Sequence, residues 1–107
     1  MYYTYMLRCM DRSIYTGITT DPVRRWKEHR EGGLKAAKYT RSRRAAGMMA
    51  LWQSKSRSSA AKLEYFIKTL TKAQKEALAE SGSLAVYADK LPAEEYLFMR
   101  SLPEAGE

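Results

Sequence analysis

The sequence predicts an α+β domain built on a small, three-stranded, mainly antiparallel sheet flanked by helices. Two aromatic, strand-like runs open the chain, a helix with both ends marked follows them, and apolar residues recur at helical spacing after residue 60. "YYTYMLRC" (residues 2–9) and "SIYTGIT" (13–19) flank a short polar turn at Met10, Asp11 and Arg12, which reads as a β-hairpin. Asp21 followed by Pro22 marks a helix start, with the aspartate as N-cap and the proline in the first turn. That helix runs to Arg30 or Glu31 and ends at Gly32-Gly33.

Residues 34–47, "LKAAKYTRSRRAAG", form a basic segment with only modest signals of order, and "MMALWQS" (48–54) reads as the third strand. Ser58 or Ser59 can cap a second helix in which Leu63, Phe66, Ile67 and Leu70 form one buried stripe. Thr71 with Gln74 fits a capping box, so a further helix starts there and runs to Ser81, ahead of Gly82. After Pro92, residues from Ala93 to Arg100 suggest one more helix. The expected order is ββαβαα with a helical C-terminal tail. Residues 1–83 form the domain and 84–107 an acidic extension.

A chain of 107 residues suits one modest core. Its 45% hydrophobic and 29% charged content is that of a soluble globular chain. Cys9, the sole cysteine, excludes an internal disulfide and, with His29 the sole histidine, a cysteine-based zinc site. It reads as a buried apolar residue of a reducing compartment. With no leader pattern and no long apolar stretch, a cytoplasmic location is expected and no membrane partner.

The net charge is +7, unevenly placed: residues 1–75 hold 17 Lys+Arg against 5 Asp+Glu, and residues 76–107 hold 2 against 7. A basic surplus confined to the first three-quarters favours a polyanion, because phosphate contacts release condensed counterions. The acidic tail is expected to pack on the basic domain or to mediate self-association.

Three groups of residues could carry chemistry. Arg25 and His29 stand four apart on the first helix and share a face, while Val23 and Trp26 offer an apolar pair to the sheet and leave that face free. Glu64, the one acid between Leu34 and Lys75, lies at the edge of the buried stripe, where it is either a salt-bridge partner or a metal ligand. One carboxylate suffices for Mg²⁺ when water and phosphate complete the shell. Tyr5 and Tyr15 project to one face of the hairpin only if its loop holds three residues or the strands carry a bulge; a two-residue turn puts them on opposite faces.

"YTYML" (3–7), "YTG" (15–17), Arg25, His29 and the glutamate of "AAKLEYFIKTL", in that order and spacing, resemble the GIY-YIG nuclease superfamily. The likeness is closest to small bacterial proteins that carry the domain with little else, and it covers residues 2–80. The first tripeptide has Tyr3 or Thr4 where the name has glycine, Met6 follows Tyr5, and Thr16 replaces isoleucine, but both tyrosines are in place. The resemblance implies a metal-dependent endonuclease that hydrolyses phosphodiester bonds in DNA, with RNA as the other candidate substrate, of the repair or recombination type, with one Mg²⁺ or Mn²⁺. Carried onto this chain, its site residues are Tyr5, Tyr15, Arg25, His29 and Glu64, with Glu64 on the metal. The segment with Lys38, Tyr39, Arg41, Arg43 and Arg44 resembles the family's substrate-contacting loop.

Arg25 suits the scissile phosphate, which a forked guanidinium holds better than an ammonium does. For the general base, Tyr5 and His29 remain joint candidates. Tyrosine needs its pKa lowered by about 3 units, which a metal and nearby cations promote, whereas Arg25 keeps His29 neutral. Substrate choice is expected to follow structure more than sequence. A non-catalytic nucleic-acid-binding module with the same fold is the alternative, and a protein-interaction module working through the tail is a third reading.

Overall fold

The hairpin is the centre of the architecture in the computed structural model, which describes residues 1–102. Strand β1 (Tyr2–Cys9) pairs with β2 (Ile14–Thr19) on one side and β3 (Ala45–Ser54) on the other; β4 (Leu97–Met99) extends the sheet in the order β2-β1-β3-β4. Every pairing is antiparallel. Helices α1 (Pro22–Glu31), α2 (Lys38–Arg43), α3 (Arg57–Lys68) and α4 (Lys72–Ser81) complete the α+β fold. None of them is long and apolar enough to cross a membrane.

The hairpin loop decides the register. Arg12 N–H donates to the Cys9 carbonyl and Cys9 N–H to the Ser13 carbonyl, both at 2.9 Å, leaving Met10, Asp11 and Arg12 as a three-residue loop. Arg12 closes it at φ +70°, and the Asp11 carboxylate accepts from Ser13 N–H at 3.0 Å. Leu7 therefore faces Tyr15 and Tyr5 faces Gly17, so both tyrosines lie on one face.

The expected stop signals hold on α1. The Asp21 side chain accepts from Arg24 N–H, Pro22 occupies the first turn, and Gly32 ends the helix at φ +73°. Thr71 and Gln74 close both arms of the capping box of α4, at 3.1 and 2.9 Å. On α3 the cap is Ser56 rather than Ser58 or Ser59. Ser56 keeps an extended backbone and accepts from Ser59 N–H, so the later serines fall inside the first turn. Residues 38–43, for which sequence gave little order, form α2, and β3 starts earlier than expected, at Ala45.

The tail differs from the helix expected over Ala93–Arg100. A 3-10 turn at Ala93–Glu95 leads into β4, whose residues pair Leu97 with Gln53, Phe98 with Trp52 and Met99 with Leu51. A free edge on β3 and the Trp52 ring offer Phe98 more than a solvated helix would: the two rings pack at a tilt of 50°, 5.4 Å between centroids. The sheet thus has four strands. Leu84 and Leu91 also join the core, and Tyr96 donates to the Ser59 carbonyl at 2.6 Å. Residues 103–107 of the acidic extension lie outside the described residues.

Two cores flank the sheet. Met6, Ala50 and Trp52 pack under Leu63 and Ile67 of α3 and Leu78 of α4. On the opposite face Tyr5, Leu7 and Leu51 meet Tyr15, Met48 and Trp26 of α1. Cys9 is buried, with a free thiol. The site lies on the α1 face.

Candidate active site

Tyr5, Tyr15 and His29 form one cluster against the sheet. Tyr5 is 2% exposed and His29 fully buried, and their side chains meet at 2.7 Å, Oη to Nε2. The Tyr15 ring lies 5.3 Å from the His29 ring and 6.2 Å from that of Tyr5. The α1 face that carries Arg25 and His29 is turned toward the hairpin, and His29 is buried there. The ring turns inward because Tyr5 and Thr40 offer it hydrogen bonds at both nitrogens.

Those two bonds fix the tautomer. The Thr40 hydroxyl donates to the Ala37 carbonyl at 3.1 Å, so its oxygen is the acceptor for His29 Nδ1–H at 2.8 Å. With the proton on Nδ1, neutral His29 presents a lone pair at Nε2, and Tyr5 O–H donates to it. Burial first, and Arg25 second, push His29 down to about 4, while Glu28 opposes them. The ring is therefore neutral at pH 7.

Tyr5 moves opposite to the shift expected of a base. Burial, then Tyr15, push the phenol far above its ordinary range; the Arg25 guanidinium at its hydroxyl opposes this in part, and Glu64 adds to it. The resting group is a phenol whose proton points at His29, not a phenolate.

Gly17 makes room for this arrangement. A Cβ there would stand 2.6 Å from the Tyr5 hydroxyl oxygen and 3.1 Å from the Tyr15 ring, so even a methyl group is excluded. Arg25 is oriented from its own helix and from the loop after it. Its Nη1 donates to Glu28 at 2.8 Å and to the Lys35 carbonyl at 2.5 Å, leaving its other N–H groups for an anion.

Glu64 is half-buried on α3, its Oε2 3.3 Å from Lys68 Nζ. Of the two roles left open for it, the ion pair is present. Among the described residues no group of three or more His, Cys, Asp or Glu is placed to hold a metal. The donors that are present are hard oxygens: the Glu64 carboxylate, close enough for its charge to act on Tyr5, and the phenols. Thr16, between Tyr15 and Gly17 but directed to the α3 side, has a buried hydroxyl with no partner among the described residues. A buried orphan hydroxyl of this kind normally contacts ordered water. One hard carboxylate that is only partly buried fits a divalent ion that keeps most of its own waters.

The basic segment divides. Lys38 and Arg41 are exposed, as is Arg44, which sits at φ +61° where α2 turns into β3. Arg43 is engaged: its guanidinium lies 4.1 Å over the Tyr39 ring and its Nε is 3.2 Å from Asp11. Tyr39 in turn packs on Tyr15 at 5.6 Å. Both residues thereby link α2 to the hairpin and the tyrosine cluster. Thr40, absent from the sequence-based set, touches the site most directly, and its place one residue after Tyr39 is the only signal that pointed to it.

Comparison with known proteins shows the family of the chain. The sequence model of the GIY-YIG catalytic domain matches residues 1–77. A UPF0213 protein of Citrobacter koseri is 44% identical over 81 residues, covering 76% of this chain and 79% of its own. One from Halobacterium salinarum is 45% identical over 78 residues, 73% of this chain and 99% of its own. The solution NMR structure of a UPF0213 protein from Bacillus halodurans is 41% identical, with a TM-score of 0.46 over 89% of this chain and 93% of that one. A domain match across most of the chain, joined by relatives of this similarity, makes the chain a member of the GIY-YIG family, a nuclease superfamily whose substrates are nucleic acids.

Proposed function

We infer that the protein is a divalent-metal-dependent endonuclease that hydrolyses phosphodiester bonds in DNA by in-line attack of water. The Tyr5–His29–Thr40 chain of hydrogen bonds, with Arg25 at the Tyr5 hydroxyl, carries this reading. It supports a shared role for the two candidate bases, Tyr5 and His29. As water attacks, the Tyr5 oxygen takes its proton while the phenolic proton passes to His29 Nε2, so no phenolate need exist beforehand.

The remaining residues assist by charge and position. Burial and, second to it, the Arg25 charge hold His29 low; an arriving phosphodiester offsets the Arg25 part, so the ring accepts a proton more readily with substrate bound. The unengaged N–H groups of Arg25 stabilise the charge growing on the phosphate. Tyr15, packed on Tyr5 and His29, limits how the water and phosphate can lie. Glu64 is the residue that would hold Mg²⁺ or Mn²⁺; when bound, the ion supplies positive charge for the leaving oxygen. Lys38 and Arg41 present the basic surface for the strand, and so small a surface favours choice by substrate structure, in repair or recombination.

The test is cleavage of labelled single-stranded, duplex, flapped and branched DNA, and RNA, with Mg²⁺, Mn²⁺ or EDTA. Metal-dependent cutting is expected for the wild type. Glu64→Ala should lose at least about 100-fold in rate and keep binding within a fewfold, the range for removing a metal-based charge stabiliser. Binding without cutting on all substrates would instead assign the chain to nucleic-acid binding alone.

A further inference from the structure

Around the β2 edge of the sheet a cleft of about 400 Å³ runs from α1 to the start of α3, lined by Tyr2, Thr20, Arg24, Arg25, Glu28 and Arg57 among others. We propose that this cleft binds the phosphate next to the scissile one along the same nucleic-acid strand, through Arg57 and Arg24. The proposal rests on the nuclease reading and gives the strand a direction: it enters over α2 and leaves around the β2 edge.

Three observations carry it. Arg25 belongs to both places, since its guanidinium acts on the Tyr5 hydroxyl and also lines the cleft, so a phosphate held at Arg25 opens onto it. Arg57 stands seven residues before Glu64 on α3, which puts both on one helix face about 10 Å apart, two turns along. The charge balance suits an anion: of the lining groups, three are guanidinium and one, Glu28, is a carboxylate. Glu28 is already committed to Arg25 at 2.8 Å and Arg24 at 3.9 Å, and Arg57 has no ion pair among the described residues. A free arginine beside hydroxyls, with no carboxylate to neutralise it, is a phosphate contact that positions a strand without reading its sequence.

The test is binding of a fluorescent single-stranded oligonucleotide and of a duplex in EDTA, so that no turnover interferes, across a range of salt. Arg57→Ala should weaken binding about five- to tenfold and reduce the salt slope by about one, and Arg57→Lys should recover most of the affinity. An oligonucleotide with a neutral methylphosphonate beside the cleavage position, on one side only, should make Arg57→Ala silent. Affinity within twofold of wild type and an unchanged slope for Arg57→Ala, while Arg41→Ala weakens binding, would overturn the cleft and leave the nuclease reading standing. Losses from Arg57→Ala and the methylphosphonate that simply add, on both sides, would likewise overturn it. If the wild type bound no oligonucleotide, both readings would fall.

Discussion

Gly17 and Thr40 each control the site without offering it a reacting atom. At Gly17 the demand is steric, because Tyr5 lies across its Cα and a methyl group would meet the phenol at 2.6 Å. Gly17→Ala should cost about 1–3 kcal/mol by overpacking and cut the cleavage rate by tenfold or more as Tyr5 shifts, with DNA affinity nearly kept. Chemical denaturation and single-turnover cleavage read the two effects separately. At Thr40 the demand is electronic: the hydroxyl accepts Nδ1–H and so keeps the Nε2 lone pair toward Tyr5. Thr40→Val should lower kcat about 10- to 100-fold with KM little changed, and Thr40→Ser should restore it. The ¹⁵N shifts of His29 would show the tautomer ratio change in the valine variant and stay wild-type in the serine one.

At the scale of elements, β4 illustrates what local pattern leaves undetermined. Phe98 gains its place from Trp52 and from Gly82, whose own Cβ, were there one, would clash with the Phe98 ring. Phe98→Ala should cost about 2–3 kcal/mol, the lower range for a buried aromatic because this one is half-exposed, and leave the site on the other face unaffected. A shift in the urea midpoint with cleavage of the folded protein unchanged would match that expectation. The ends of α1 and α4 were legible because Asp21, Pro22, Gly32, Thr71 and Gln74 act on neighbours within four residues. The tail strand was not, since its pairing joins residues far apart in sequence and a three-residue strand carries no period of its own. Likewise the sequence named Tyr5, Tyr15 and His29 individually but not their hydrogen bonds, and Thr40 escaped because its partner lies on another helix, 11 residues back.

For the molecule as a whole, burying one neutral histidine ties stability to pH. The folded value of His29, about 4, lies below its ordinary 6.5, so between these limits the unfolded chain binds more protons than the folded one. Stability should therefore be intact above pH 6.5 and decline as pH falls toward 4. At pH 5, above most carboxylate titration, the loss relative to pH 7.5 should be about 2 kcal/mol. Urea unfolding at both pH values would measure it, and His29→Gln should flatten the difference. Charge is also divided in space. The tail bearing acidic residues packs beside α3 through Tyr96 and Leu91, whereas Lys38 and Arg41 stand on α2, beside the tyrosine cluster. The exposed cations of α2 thus lie beside the tyrosine cluster, while the acidic residues of the tail lie beside α3.

The three-residue hairpin loop makes one further point, about how such a chain can evolve. Surface loops are where families ordinarily accept insertions and deletions. Here the loop count decides whether Tyr15 and Gly17 share a face with Tyr5, so gaining or losing one residue between Cys9 and Ser13 would turn the second strand over and dismantle the site while keeping every side chain in the sequence. Unless a bulge compensates, the parity of the loop rather than its composition keeps Tyr5 and Tyr15 on one face.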